Sequence, residues 1–342
     1  MYLPVIILLT ICNVLFVTNI AIGQTVFRVA SYNVENLFDL KKNGNEYKEY
    51  VPNSRYQWNR ITSEKKYNNI ADVIKNLNSD IVAMQEVESV ESLALLTFSL
   101  KKKGIEYPFS AISDSGGSVV NCAILSKFRI CEKKEIRVMG SWRNILRLTI
   151  DIDENKFFIY NNHWLSKKYP ESRRINAAKA LMFDVETLES GTEFIIVGDL
   201  NSDYDAYKRL ASDSINKGRH VTSGINHILK TVVQSSYVKI NKLASGQYND
   251  CMYNLWLEKS VDKRWSYIYA GRKSSLDHIL IPASLCDGSG IDYEANSFNV
   301  YKPKSLFKNG LIFRWQKTDN GSHKGEGVSD HLPLYADFRV VN

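Results

Sequence analysis

The sequence predicts a layered α/β fold with mixed sheets. Short apolar runs rich in β-branched residues alternate with segments whose apolar residues recur at helical spacing. That alternation lacks the regular strand–helix period of a barrel. No Pro-, Gly- or Ser-rich stretch divides the chain in the manner of a linker.

Taken in order, residues 27–34 form a first buried strand. Residues 62–77 place Ile70, Val73, Ile74 and Leu77 on one helical face, beginning near Ser63-Glu64. Residues 80–84 read as a short apolar strand, and 90–103 as a second helix closed by Gly104. Strands follow at 119–125, 145–152 and 156–161, then a helix at 172–188 and a strand at 193–197 ending at Gly198. Beyond Gly198 the pattern loosens: 265–270, 276–281 and 334–341 still read as strands, and the polar stretch 212–247 reads as a long surface loop.

The 342 residues carry 44 Lys+Arg against 37 Asp+Glu, a net charge of +7, with 44% hydrophobic and 24% charged residues. This is globular composition, and it excludes disordered, collagenous and solenoid chains. A multi-span membrane protein is excluded as well, because the single long apolar run lies in the first two dozen residues. That run reads as a secretory signal peptide over residues 1–23, cleaved between Gly23 and Gln24, although Met1-Tyr2-Leu3-Pro4 lacks the usual Lys or Arg. The alternative is an uncleaved anchor, for which the apolar core is short against a span of about 20 residues. Cleavage leaves residues 24–342, keeps the +7, and places the protein outside the cytoplasm, secreted or periplasmic. Cys122, Cys131, Cys251 and Cys286 then remain; Cys122 and Cys131 are near enough for a hairpin staple, and free thiols are the alternative. None has zinc-site spacing.

Several segments set acidic, amide or imidazole side chains just beyond an apolar strand, which is how an α/β scaffold gathers a site from distant sequence. They are Ser31-Tyr32-Asn33-Val34-Glu35-Asn36, Met84-Gln85-Glu86, Asn161-Asn162-His163-Trp164, Gly198-Asp199-Leu200-Asn201, Ser275-Leu276-Asp277-His278 and Val328-Ser329-Asp330-His331-Leu332-Pro333. Asn33 and Glu35, and likewise Asp199 and Asn201, are two apart and share a face in extended chain. Each segment alone is also what a helix cap, a turn or a solvated strand end looks like. Their joint occurrence is what points to chemistry.

In this order the segments resemble the endonuclease/exonuclease/phosphatase superfamily, from Asn33 to His331. The resemblance implies one domain, a four-layer sandwich of two mixed sheets flanked by helices, and hydrolysis of phosphate esters with a divalent cation. Mg²⁺ is the expected ion, with Mn²⁺ or Ca²⁺ as alternatives, because a hard cation takes oxygen ligands. By the same resemblance Glu86 is the principal metal ligand, with Glu35 and Asp330 beside it and Asn33 nearby on the substrate. Asp199 handles the attacking water, Asn201 binds phosphoryl oxygens, and His163 serves the leaving group. Asp277 orients His331, which acts as base or electrostatic partner. Which histidine is acid and which is base stays open. Ser275-Leu276-Asp277-His278 lacks the Trp-Cys-Asp-Arg element of inositol-polyphosphate phosphatases, and Asn162-His163-Trp164 resembles exported bacterial nucleases.

A nucleic acid substrate is therefore expected, with Arg143, Arg173, Arg174, Lys167 and Lys168 on its phosphates and Trp58 available to stack on bases. The Lys101-Lys102-Lys103 run reads as a solvated helix face. A sphingomyelinase is the alternative enzyme and needs an exposed apolar element, for which Trp256 and Phe313 to Trp315 are the candidates, both better placed in a core. A non-catalytic binding module is a third reading, disfavoured because no motif position carries a residue unable to do the chemistry. A monomer without a stable protein partner, and without a membrane span after leader cleavage, is expected.

Overall fold

A computed structural model describes residues 25–114, 116–213 and 221–341; the leader expected at 1–23 lies outside the described residues. The strands of the first two thirds are β1 (Val26–Leu37), β2 (Ile81–Val87), β3 (Phe109–Ile112), β4 (Asn121–Ser126), β5 (Arg129–Ile136), β6 (Ile145–Ile152), β7 (Asn155–His163) and β8 (Phe194–Asp199). The long helices are α1 (Arg60–Leu77), α2 (Val90–Lys102) and α3 (Glu171–Val185). One sheet runs Gly290–Tyr293, Leu334–Val341, β1, β2, β4, β3; the other runs Tyr253–Asn254, Asp277–Ile281, β8, β7, β6, β5. Pairs β1/β2 and β7/β8 are parallel and their neighbours antiparallel, so both sheets are mixed.

Strand periodicity sorts the layers. Along β8, Ile195 and Val197 enter the core between the sheets, while Phe194 and Ile196 face outward onto Ala177, Ala178 and Leu181 of α3. Phe27 of β1 meets Phe157 of β7 across the gap with ring centroids 5.6 Å apart. On the other side α1 and α2 pack together and α1 lies against β1, contributing Ile70, Ile74, Leu77, Leu96 and Leu100. The expected four-layer sandwich is the architecture seen.

Element boundaries moved where caps and turns decide them. Helix α1 starts at Arg60 because Asn59, rather than Ser63, accepts the Thr62 N–H as N-cap. The expected strand at 265–270 is half of a hairpin, Tyr267–Tyr269 paired with Arg272–Ser274, which turns at Ala270 and Gly271, both with positive φ. The stretch 212–247 is only partly a surface loop. Ser223 caps a π-helical turn, Gly224–Ile228, whose Gly224, Ile225 and Asn226 are buried against α3, and Val238 and Leu243 are buried too. The Cys122–Cys131 staple does not form: Cys122 is buried in β4 of one sheet, Cys131 is exposed in β5 of the other, and all four described cysteines are free thiols.

Gly198 is the backbone position on which the second sheet's end depends. Its φ is 130°, and a Cβ there would lie 2.0 Å from the Asn162 carbonyl oxygen on β7. Gly198→Ala must therefore push β7 and β8 apart beside His163 and Asp199. A loss of roughly 2–3 kcal/mol, the upper end for single substitutions, is expected in denaturant unfolding.

Candidate active site

The inward-facing rows that are apolar through the middle of the sandwich turn polar at one end. Phe27 and Val29 give way to Ser31 and Asn33, Phe157 and Ile159 to Asn161 and His163, Ile195 and Val197 to Asp199, and Ile281 and Ile279 to Asp277. Sheet register then aligns three of these side chains, because Asp199 pairs with His163 on one side and Asp277 on the other. Asn161 stitches the sheets beneath them. Its amide donates to the carbonyls of Met84 (2.9 Å) and Ala123 (3.0 Å) in the opposite sheet, and its oxygen accepts from Gln85 at 2.7 Å.

Asp199 is the hub. Its Oδ2 accepts from the Asn33 amide at 3.2 Å and the Asn201 amide at 3.1 Å, and its Oδ1 accepts the Asn201 N–H at 2.9 Å. Asn201 thus arrives through a turn with φ 48°, not by strand alternation, since β8 ends at Asp199. The Asn33 amide also reaches Glu86 Oε1 at 3.2 Å. His163 Nε2 sits 3.6 Å from Glu86 and 3.7 Å from Asp199. His331 is bound through Nδ1 to Asp277 Oδ2 at 2.8 Å, which turns Nε2 toward Asp199 (3.9 Å) and Asp330 (4.0 Å). Ser266 donates to the same Asp277 oxygen, and the Tyr267 ring lies against the imidazole with centroids 4.7 Å apart.

The electrostatics separate the two histidines. Burial alone would lower His331, but the Asp277 carboxylate, reinforced by Asp199 and Asp330, holds it well above the usual imidazole range. His163 is pushed well below that range by burial, then by the cationic charges of Arg143 and His331. Burial raises Asp199 to about 7, with Asp277 and Glu86 adding to the rise and His331 opposing it. Asp330 is raised by burial and by Glu86, against the pull of His331 and Arg314.

The structure brings together Asn33, Glu86, His163, Asp199, Asn201, Asp277, Asp330 and His331. Four other expectations change. Glu35 does not share its face with Asn33: a bulge in β1, with Glu35 and Asn36 at φ 51° and 61°, swings its carboxylate away. Both Glu35 oxygens are engaged, one by the Arg314 guanidinium and the other by the Trp315 N–H at 2.9 Å, and the same guanidinium reaches Asp330 at 3.3 Å, so Glu35 clamps the segment beside Asp330. Arg174 is buried, paired with Glu171 and donating to the carbonyls of Leu165, Ser166 and Tyr169, so it has no hand for a substrate. Arg173 is exposed and clips the Gly140 carbonyl at 2.7 Å, fixing the loop that precedes β6. Trp58 is buried against Tyr50 and Trp315 and cannot stack on a base.

Arg143 stays near the reaction centre: its Nη1 donates to the Trp164 carbonyl at 3.0 Å, the same oxygen that receives the Asn201 amide. Arg314, Lys66, Ser266, Tyr267 and Asn161 are site-supporting residues that sequence reasoning did not select. Of these, Asn161 lies in the strand-end segment Asn161-Asn162-His163-Trp164.

The donor set fits a hard divalent cation. Glu86 repels both Asp199 and Asp330, a repulsion that a divalent ion relieves, and the donors are oxygens. Ligand atoms of Asp199, Asp277 and His331 also lie within 4.8 Å of one another. Within that trio Asp277 already accepts from His331 and Ser266, which ties it into a hydrogen-bonded relay.

Carboxylates gathered beside an Asp-held histidine, at the open end of a two-sheet sandwich, define a hydrolase of phosphate esters. The chain belongs to the Endonuclease/Exonuclease/phosphatase family, which it matches over residues 28–339. No curated protein sequence matches it. Among solved structures it is similar to truncated TDP2 of Caenorhabditis elegans, with 16% identity and a TM-score of 0.52 over 92% of this chain and 97% of that one. D. rerio TDP2 complexed with single strand DNA product gives 13% and 0.54 over 92% and 99%. ANGEL2, a 2′,3′-cyclic phosphatase in complex with adenosine-2′,3′-vanadate, gives 16% and 0.56 over 94% and 97%. At these identities the likeness shows the fold. Among the described residues no helix is long and apolar enough to cross a membrane.

Next to the site, His278 offers a test of the packing that holds Asp277. It is fully buried as the neutral tautomer, with Nε2 donating to the Ser202 carbonyl and Nδ1 accepting from Asn254, and burial depresses it to about 4. Because the folded value lies below the unfolded value of about 6.5, the stability is whole above pH 6.5 and drains as pH falls toward 4. Denaturant titrations should show a slope of about 1.4 kcal/mol per pH unit from this group, flattened in His278→Gln.

Proposed function

We propose that the chain is an exported, divalent-metal-dependent phosphodiesterase that cleaves nucleic acid strands, DNA foremost, as a monomer. The observation that carries this reading is Asp199, a buried carboxylate fed by two amides, flanked by two histidines of opposite charge preference and next to Glu86. Groups whose environments drive their proton affinities apart are arranged for acid–base work.

Glu86 and Asp330 would hold a Mg²⁺ ion, which supplies charge to offset that on the phosphoryl and leaving oxygens. Asp199 orients the attacking water and takes its proton as the new P–O bond forms. His331, cationic against Asp277, presents a proton at Nε2 to the phosphate, and Asn33 and Asn201 present amide N–H groups. The P–O bond to the leaving oxygen breaks, and a proton from the histidine pair neutralises that oxygen. Neutral His163 presents Nε2 on the opposite flank of Asp199.

Nucleic acid as substrate is supported by the +7 charge, by Arg143 and Lys168 on the flank of the site, and by the single strand DNA product and the adenosine-2′,3′-vanadate bound to proteins of the same fold. The lipid alternative has less to rest on: of its candidate apolar elements Trp256 and Trp315 are buried and Phe313 is half-buried. Export is supported by the apolar, uncharged run at residues 5–17 followed by Ala21 and Gly23.

Purified protein should degrade plasmid DNA with Mg²⁺ or Mn²⁺ and stop on chelation. Glu86→Gln, Asp277→Asn and His331→Ala should each lower kcat by roughly 10²- to 10⁴-fold while circular dichroism stays native. Release of phosphocholine from sphingomyelin with DNA left intact would sink the nuclease reading. Mass spectrometry of the protein recovered from outside the cytoplasm should find Gln24 at its N-terminus.

A further inference from the structure

Beside His163 lies a cleft of about 390 Å³ that the chemistry above does not use. Tyr47, Trp142 and Tyr169 line it with Arg143, Lys168 and Leu165. Trp142 and Tyr169 stand edge to face, 5.6 Å apart, and Lys168 lies 5.2 Å over the Tyr169 ring. Trp142 is 39% exposed and Tyr47 38%, so both rings offer open faces. The cleft is coupled to the reaction centre through one oxygen: the Trp164 carbonyl takes both the Arg143 guanidinium and the Asn201 amide. Arg143 Nε, buried and without a hydrogen-bond partner, is left over on this side. The two ends of the Arg173 clip, Gly140 and α3, hold the Trp142 loop against the Tyr169 segment.

We propose that this cleft is a nucleobase subsite that seats the base adjoining the scissile phosphate; the inference rests on the nucleic-acid reading above and names the part of the substrate it grips. Three aromatic rings take a planar heterocycle by stacking, and this is tolerant of sequence because every base has a π-face. The two cations decide against the other ligand such a ring cluster accepts. A quaternary ammonium would sit among the aromatic faces, but Arg143 and Lys168 repel it, whereas the phosphate attached to a nucleoside is drawn to them. The rest of the lining is Leu165, Val119 and Gly117 with Ser166, whose single hydroxyl can donate or accept and so fixes no donor–acceptor code. The subsite therefore selects for the presence of a base and not for its identity.

The test compares a single-stranded oligodeoxynucleotide with an abasic tetrahydrofuran strand of equal length and charge, alongside tryptophan fluorescence. Trp142→Ala should lower kcat/KM on the base-bearing strand by roughly 10-fold or more, mostly through KM, and leave the abasic strand unchanged. Trp142→Phe, which keeps a ring, should recover most of the loss. A thymidine dinucleotide should quench the emission of the native protein and not that of Trp142→Ala, a readout independent of turnover. Equal effects on both strands, or no effect, overturn the subsite while the nuclease reading stands. Cleavage of neither strand, with Trp142-dependent phosphocholine release from sphingomyelin vesicles, overturns both.

Discussion

A carboxylate buried where two sheets meet is the constraint around which the rest of this molecule is arranged. Asp199 continues the inward row of Ile195 and Val197 one step past the apolar core, so its carboxylate is almost wholly withdrawn from bulk solvent. An uncompensated carboxylate there would be costly. The compensation comes from both sheets: the Asn33 amide from β1, the Asn201 groups from the turn after β8, and two imidazoles set by the register of β7 and by Asp277. Stability and chemistry share these contacts. The same donors that make the burial tolerable are those that would orient water and phosphate.

Local backbone strain is concentrated at the same end of the sandwich. Glu35, Asn36, Glu86 and Asn201 all have positive φ, and Gly198 has a φ that no Cβ could share with the Asn162 carbonyl. Such conformations persist only where surrounding packing over-determines them. Here the inter-sheet stitch by Asn161 and Gln85, the buried Lys66 donating to the Val328 carbonyl, and the Glu35 clamp on Arg314 and Trp315 supply that packing. The bulge in β1 is functional in its consequence. It turns Glu35 to the Arg314 guanidinium, which also reaches Asp330 at 3.3 Å.

Charge at the site is partitioned by partners more than by residue type. His331 and His163 are both buried, yet Asp277 holds the first well above the usual imidazole range, while burial, with Arg143 and His331 adding to it, holds the second well below. The same holds for the arginines. Arg174 serves three backbone carbonyls, Arg173 ties down the Gly140 turn, Arg143 stands beside Asn201, and Arg314 reaches Asp330. Their residue type says nothing of that division of labour.

Hydrophobic periodicity by itself determined the alternating strands and helices of the first two hundred residues and the layered α/β class, because a buried strand or an amphipathic helix writes its burial into every second or every third and fourth residue. The polar groups at strand ends, Asn33, Glu86, His163, Asp199, Asp277 and His331, were legible for the same reason: they interrupt apolar runs at points where a polar side chain needs a purpose. Tertiary structure decided the rest. Glu35 turned to Arg314 and Trp315 because β1 carries two extra residues between Asn33 and Leu37, an irregularity that strand periodicity does not mark. Arg174 and Trp58 became structural because partners a few to hundreds of residues away, Glu171 and Trp315 among them, enclosed them. The edge-to-face pairing of Trp142 with Tyr169, and the joining of Arg143 to Asn201 through one carbonyl oxygen, exist only once both sheets are in register. Pairings across sequence carry no periodicity, so nothing short of the folded chain discloses them.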